Sequence, residues 1–247
     1  MMGDNKGQEN ENTGFVFIQG AGLQSQIWKM VVSEMENPVL LVDFPEREGE
    51  NKSRKGLTLQ EYNAHIKRQI EAWSVEKFVI VAHSLGGIFA LKLSNDLSER
   101  VVGFVAVGAT IPKSGDSFLS TFPLAKRALM NAILKSFGTR PTESAIRKGL
   151  CNDLSYEQAN EVVRDFVPES IHVYTGRTDA TLPAELPKLY IKLAKDQEMS
   201  LSHQDKMIAN LSPQKIEMLQ TSHLPMLSKP DELRDSLIAF LVRWQLK

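Results

Sequence analysis

Between residues 15 and 107 the sequence alternates short, apolar, β-prone runs with amphipathic helical stretches, and this alternation constrains the fold most. Two of the apolar runs, residues 78–81 and 101–107, are continuous and rich in β-branched side chains. Such runs are typical of strands in parallel sheets, where helices cover both faces. Since parallel strands joined through helices cross over in the right-handed sense, the pattern predicts an α/β fold with an open, mostly parallel sheet.

The rest of the chain is divided by the same criterion. Residues 1–13 are polar and predict a flexible N-terminal tail, whereas residues 14–110 and 169–247 carry the strand-and-helix pattern of a core. Residues 111–168 contain three helix-like stretches and no buried-strand run, which predicts a helical insertion between strands of the sheet. Further strands are predicted at residues 15–18, 39–42, 170–174 and 216–219, and helices at residues 26–36, 59–73, 85–97 and 230–244.

The sequence Ala-His-Ser-Leu-Gly-Gly at residues 82–87 stands where a predicted strand meets a predicted helix. A sharp strand-to-helix turn needs small residues two before and two after its serine, and Ala82 and Gly86 meet that need. The turn would raise the Ser84 hydroxyl clear of the sheet and leave the Leu85 N–H at the helix N-terminus, able to hold an oxyanion. Without the strand before it and the helix after it, the motif would predict only that Ser84 is a helix N-cap.

In this setting the chain resembles an α/β-hydrolase over about residues 15–244. The resemblance implies that an acid and then a histidine follow the nucleophile in chain order. The Gly-Arg-Thr-Asp turn ending at Asp179 matches the acid turn, and the loop after the last predicted strand supplies His223. It therefore implies a triad of Ser84, His223 and Asp179, with Asp116 as the other candidate acid and with turn and loop roles as the alternative for each residue.

The Gln-Gly-Ala-Gly turn after the first predicted strand resembles the oxyanion loop of this family. The resemblance makes the Ala21 N–H the second oxyanion donor, beside that of Leu85. Gln19 replaces the usual histidine and, since its amide can donate and accept, we assign it to substrate binding. The resemblance also identifies residues 111–168 as a helical lid, whose Phe118 and Phe122 we expect to contact substrate, although aromatic residues at helical spacing also serve packing.

Within the fold, the motifs look most similar to small carboxylesterases of the methylesterase and hydroxynitrile-lyase branch. This implies a serine hydrolase that cleaves a small carboxylic ester through an acyl-enzyme, without a cofactor. The lyases of that branch carry a lysine directly after the catalytic histidine, whereas this chain has Leu224, which disfavours cyanohydrin cleavage. A ligand receptor or signalling protein with little or no turnover is the alternative, because fold alone does not decide function.

Charge and composition exclude several other classes. With 29 Lys and Arg against 30 Asp and Glu, the chain has no excess positive charge for binding nucleic acid. No apolar stretch is long enough for a membrane span. The single cysteine, Cys151, cannot form an internal disulfide, which favours a cytoplasmic location. His65, His172 and His203 lack the spacing of metal ligands, so we expect no metal site. Oligomeric state is left open.

Overall fold

The computed structural model describes residues 13–46 and 54–245, and its centre is a six-stranded parallel sheet. The sheet has the strand order β2-β1-β3-β4-β7-β8, and β5 and β6 pair separately as a short antiparallel ribbon. The predicted α/β class with a mostly parallel sheet is confirmed. The described strands are β1 (Gly14–Ile18), β2 (Val39–Leu41), β3 (Phe78–His83), β4 (Val101–Val107), β5 (Asp116–Ser117), β6 (Arg177–Thr178), β7 (Lys188–Leu193) and β8 (Lys215–Leu219).

Helices flank the sheet, and short 3₁₀ turns lie at Ser25–Trp28, Arg54–Gly56 and Leu119–Thr121. A capping box predicted from the sequence begins the second helix, where the Thr58 hydroxyl accepts from the Glu61 N–H and the Glu61 carboxylate accepts from the Thr58 N–H. The described helices are α1 (Lys29–Val32), α2 (Leu59–Glu71), α3 (Gly86–Asp96), α4 (Leu124–Phe137), α5 (Glu143–Leu150), α6 (Tyr156–Arg164), α7 (Ile171–Thr175), α8 (Leu201–Leu211), α9 (Pro225–Ser228) and α10 (Pro230–Gln245).

Both faces of the central strands are buried, which explains why these strands are continuous apolar runs. Along β3, Ile80 packs with α2 and α3 on one face, and Val79 and Val81 pack with α10 on the other. Every residue of β3 is buried. The central strands are therefore fixed rigidly, and the residues at their carboxyl ends are held in defined positions.

One predicted strand is wrong. Residues 170–174 are extended only at Ser170, whose hydroxyl accepts from the His172 N–H and caps the short helix α7. The strand that lies between β4 and β8 is β7, which the sequence analysis missed because Lys188 and Lys192 interrupt its apolar run. The Lys188 side chain is accommodated because its ammonium donates to the carbonyl oxygens of Pro183 and Ala184. Helix α8 was also missed.

Helices α4, α5 and α6 occupy residues 111–168, where helical stretches were predicted. We call residues 111–168 the lid segment, and its division from the core at residues 110 and 169 remains a prediction. The predicted tail lies outside the described residues except for Thr13, which is buried. Within residues 13–46 and 54–245, no helix combines the length and the apolar character that crossing a membrane requires.

Candidate active site

Ser84 occupies the turn between β3 and α3 in a left-handed conformation, with φ of 50°. Few residues other than glycine adopt this conformation, and it persists only where the surrounding structure enforces it. Here the Ser84 carbonyl oxygen accepts hydrogen bonds from the N–H of Thr110 at 2.8 Å and of Gly87 at 3.2 Å. These bonds fix the turn and leave the side chain partly exposed at the end of the sheet.

Gly86 allows the start of α3 to pack against the end of β1. A Cβ at this position would lie 2.6 Å from the carbonyl oxygens of both Gln19 and Ile18, which is closer than a side chain tolerates. The small residue that the sequence pattern required two positions after the serine is therefore needed for a close backbone approach. This approach places the turn that follows β1 beside Ser84.

His223 lies in the loop after β8 and approaches Ser84 directly. Its Nε2 is 3.0 Å from the Ser84 Oγ, and its Nδ1 is 2.8 Å from the Asp196 Oδ2. Asp153 holds the loop, since its carboxylate accepts from the N–H of Ser222 at 2.7 Å and from the Ser222 hydroxyl. A hydroxyl, an imidazole and a carboxylate thus form one continuous hydrogen-bonded chain.

Asp196 is built to stay ionised although its side chain is 0% exposed. Its Oδ1 accepts from the N–H groups of Glu198 at 2.8 Å and Met199 at 2.9 Å. Burial raises the pKa of the Asp196 carboxyl, but the charge and hydrogen bond of His223 and these N–H groups outweigh burial and lower the pKa overall. Asp196 can therefore orient His223 and stabilise its protonated form.

Asp196 also changes the proton affinity of the His223 imidazole. Burial lowers the pKa of His223, but the charge of Asp196, its hydrogen bond and the more distant charge of Glu198 outweigh burial and raise the pKa above its ordinary value. The imidazole consequently binds a proton more readily than a free histidine does. This is the property that a general base needs when it takes a proton from a neighbouring hydroxyl.

The prediction that Asp179 orients His223 is corrected by this geometry. Asp179 is exposed and follows β6, which pairs with the strand that carries Asp116. Neither carboxylate hydrogen-bonds with His223 in the described part of the chain. The Gly-Arg-Thr-Asp turn has the expected local sequence, but it follows α7 rather than a strand of the central sheet. Asp196 takes the position because it follows β7.

The two predicted oxyanion donors lie on the same cavity as Ser84. Within the described residues, no hydrogen-bond acceptor reaches the N–H of Ala21 or of Leu85, so both are able to donate to a bound group. The loop that carries Ala21 is held at the next residue, where the Gly22 N–H donates to a carboxylate oxygen of buried Glu169 at 3.1 Å. The arrangement presents two backbone donors beside a serine hydroxyl.

A cavity of about 400 Å³ opens onto Ser84 and His223. Phe118 and Phe122, which we expect to contact substrate, line it, and their rings pack edge to face with centroids 5.3 Å apart. Gln19, which was predicted to bind substrate, is fully buried just after β1 and is not among the residues that line the cavity in the described structure. The assignment of Gln19 is therefore corrected, and its two amide atoms have no partner among the described residues.

Two further buried side chains that can titrate are inert at neutral pH. His83 is buried, and its Nε2 lies 2.8 Å from the carbonyl oxygen of His223. Burial and the neighbouring His223 lower the pKa of His83 to about 3, so the neutral ring donates to that carbonyl and supports the backbone of the loop. Burial raises the pKa of the Cys151 thiol to about 11, which leaves it protonated and unreactive at neutral pH.

The described residues contain no group of three or more histidine, cysteine, aspartate or glutamate side chains that could hold a metal ion.

The chain is similar in sequence to known α/β-hydrolases. The model described as "Alpha/beta hydrolase family" matches residues 15–236. Methylesterase 9 of Arabidopsis thaliana is 29% identical over 203 residues, which cover 73% of this chain and 78% of that protein.

Solved structures of similar fold cover nearly the whole chain. An extracellular α/β-hydrolase from a Paenibacillus species, described as sharing structural and functional homology with tobacco salicylic acid binding protein 2, superposes with a TM-score of 0.81 at 18% identity, covering 92% of this chain and 98% of that one. A methylesterase from Arabidopsis has a TM-score of 0.72 at 18% identity, covering 94% and 98%. At such low identity these structures establish a common fold.

Proposed function

Because the chain belongs to the α/β hydrolase family, we propose that it is a carboxylesterase-type serine hydrolase that cleaves a small carboxylic ester. The α/β-hydrolase fold and the resemblance to the methylesterase branch, both inferred from the sequence, are confirmed by the comparisons. The observation that carries the proposal is the hydrogen-bonded chain from the Ser84 hydroxyl through His223 to Asp196.

In the proposed acylation step, the His223 Nε2 takes the proton of Ser84 as the Ser84 Oγ attacks the ester carbonyl carbon. The carbonyl oxygen gains the negative charge and accepts hydrogen bonds from the N–H groups of Ala21 and Leu85. The tetrahedral intermediate then collapses, the bond to the alcohol oxygen breaks, and protonated His223 gives its proton to the departing alcohol. An acyl group remains on Ser84.

In the proposed second step, His223 takes a proton from a water molecule that attacks the acyl-enzyme. The acid is released, and the proton returns to the Ser84 oxygen. Asp196 holds the imidazole in the tautomer with a proton on Nδ1, so that Nε2 is free to act as the base. Every proton is accounted for by these side chains and water, and the proposal therefore includes no cofactor.

Ester cleavage is supported by relatives that are themselves named as esterases, and the receptor alternative is not favoured by them. The test is a panel of short p-nitrophenyl esters beside thioesters, lactones and amides. Repeated turnover of the esters supports the proposal, whereas a single slow acylation or no reaction contradicts it.

The proposed cytoplasmic location rests on the sequence alone and is tested by cell fractionation.

We expect kcat/KM to rise with pH through a midpoint above 6.5, because only neutral His223 accepts the serine proton and the pKa of this group is raised above that value. Asp196→Asn removes the negative charge that raises the pKa, so its residual activity should have a lower midpoint. The measurement is kcat/KM for p-nitrophenyl acetate over about pH 5 to 9 for both proteins. A midpoint that is unchanged in the variant would contradict this account of His223.

We further propose that the lid segment selects the substrate and supplies no catalytic group. Replacing Phe118 or Phe122 by alanine should raise KM for long-chain esters by about tenfold or more, since each ring contributes roughly 1.5–3 kcal/mol when buried. The value of kcat for the acetate should stay within about tenfold, because uniform binding is lost rather than transition-state stabilisation.

Phe137→Ala is the matched control for these two variants. Phe137 lies in the same segment, but it is 83% exposed and is not part of the cavity wall described here. Its replacement should leave both KM and kcat unchanged. A collapse of kcat on every substrate in the folded Phe118 or Phe122 variants would place catalytic groups in the lid segment.

A further inference from the structure

The hydroxyl of Thr121, in the lid segment, contacts both a carbonyl oxygen and the ring of His203. These two contacts determine where its proton lies. The Thr121 hydroxyl lies 2.7 Å from the Phe118 carbonyl oxygen and 3.0 Å from the Nε2 of His203. A carbonyl oxygen only accepts, so the single hydroxyl proton of Thr121 points to Phe118. The Thr121 oxygen must then accept from His203, which places a proton on Nε2.

The imidazole of His203 is neutral at neutral pH. Burial, together with the charges of Lys126 and Lys206, lowers the pKa of His203 to about 4, while the charge of Asp196 opposes this. A neutral ring with its proton on Nε2 carries an unshared electron pair on Nδ1. Among the described residues no donor reaches the Nδ1 of His203. This atom also keeps some accessible surface, so a ligand can reach it.

His203 lines the same cavity as Ser84, and most of the residues that line this cavity are apolar or aromatic. Its ring packs edge to face on Phe122 with centroids 4.4 Å apart, and the Lys126 ammonium lies 4.6 Å from the centre of the same Phe122 ring. The position of His203 is therefore fixed by packing on one side and by Thr121 on the other. The nearby positive charge disfavours a cationic group at Nδ1, so a neutral donor suits the site.

Resting on the proposed function, we propose that the Nδ1 of His203 accepts a hydrogen bond from a hydroxyl group of the substrate. The preferred substrates are then esters that carry a hydroxyl in the part that lies under the lid segment, away from the reacting carbonyl. Because an acceptor left unpaired in the complex discriminates against a ligand without the matching donor, His203 would be a specificity-determining residue.

The test compares methyl 3-phenylpropanoate with its three derivatives that carry a hydroxyl at the ortho, meta or para ring position. We expect wild-type kcat/KM to be about tenfold higher for at least one hydroxylated ester than for the parent, the size of one hydrogen bond. His203→Phe, which keeps a ring but removes the acceptor, should reduce this ratio to about one. The control His172→Phe makes the same change at an exposed histidine outside the described cavity wall and should keep the wild-type ratio.

Binding separates this inference from the proposed function. The four esters are titrated by calorimetry into Ser84→Ala protein, with and without His203→Phe, where no turnover is required. If the wild-type protein turns over neither these esters nor the short p-nitrophenyl esters, the proposed function fails, and the affinity ratio still tests the role of His203. An affinity ratio that His203→Phe does not change overturns the inference.

A spectroscopic measurement keeps the test independent of any variant that fails to fold. Long-range ¹⁵N–¹H spectra of the wild-type protein at neutral pH should show His203 protonated on Nε2 and unprotonated on Nδ1. Upon addition of the preferred hydroxylated ester to Ser84→Ala protein, the Nδ1 resonance should shift, whereas the parent ester should not shift it. A proton on Nδ1 in the free protein would overturn the inference.

Discussion

Asp196→Asn should lower kcat for p-nitrophenyl acetate by about 10⁴, as loss of the orienting carboxylate does in other serine hydrolases. The reason is local, since the asparagine amide can donate to the Nδ1 of His223 and so stabilise the tautomer whose Nε2 carries the proton. That tautomer cannot accept the proton of Ser84. The value of KM should change much less, because Asp196 lies beneath His223 and is not on the cavity wall described here.

Asp179→Asn is the matched control, because it makes the same isosteric change at the carboxylate that the sequence motif favoured. Asp179 is exposed and does not contact His223 in the described structure, so kcat should stay within about threefold of wild type. Circular dichroism and thermal unfolding establish that both variants are folded. The reverse result, with Asp179→Asn inactive and Asp196→Asn active, would mean that the proposed hydrogen-bonded chain does not operate.

Ser84→Ala should lower kcat by about 10⁴ to 10⁶, because it removes the hydroxyl that we propose forms the acyl-enzyme. Removing a hydroxyl leaves the fold intact, so the variant should still bind substrate with wild-type affinity in calorimetry. Ser136→Ala, at an exposed serine of α4, makes the same change away from the site and should leave kcat unaffected. Residual activity of Ser84→Ala above about one hundredth of wild type would point to another nucleophile.

The sequence was sufficient to predict those parts of the fold that rest on burial. The central strands β3 and β4 are buried on both faces and therefore appear as continuous apolar runs. The turn at Ser84 was predictable because a close backbone approach demands a small residue, and Gly86 meets that demand against Gln19 and Ile18. His223 was found because its loop directly follows a recognisable strand.

The acid was misplaced because its position is set by the sheet and not by the local sequence. The stretch around Val173 is as apolar as a strand but folds as α7. In β7, by contrast, Lys188 and Lys192 interrupt the apolar run. The only available signals were the Leu-Tyr-Ile run at residues 189–191 and the unusual length of chain between Asp179 and the last strand. With β7 assigned, Asp196 follows as the carboxylate next after it.

The sequence could not predict which way a side chain points or which imidazole nitrogen carries the proton. Gln19 directly follows β1, and whether its amide meets the cavity or the interior depends on the packing around that strand, which buries it. The protonated nitrogen of His203 is determined by Thr121, which is 82 positions away in the chain. Such contacts arise only from the folded arrangement of distant segments.

The central claim is that Ser84 is a nucleophile activated by His223 and Asp196, and labelling with a fluorophosphonate tests it most directly. The protein is reacted at neutral pH, digested and analysed by mass spectrometry, with Ser84→Ala and Asp196→Asn treated in parallel. We predict one adduct on the peptide that contains Ser84, none in Ser84→Ala, and much slower labelling in Asp196→Asn. An adduct that persists in Ser84→Ala, or labelling of Asp196→Asn at the wild-type rate, would contradict the account.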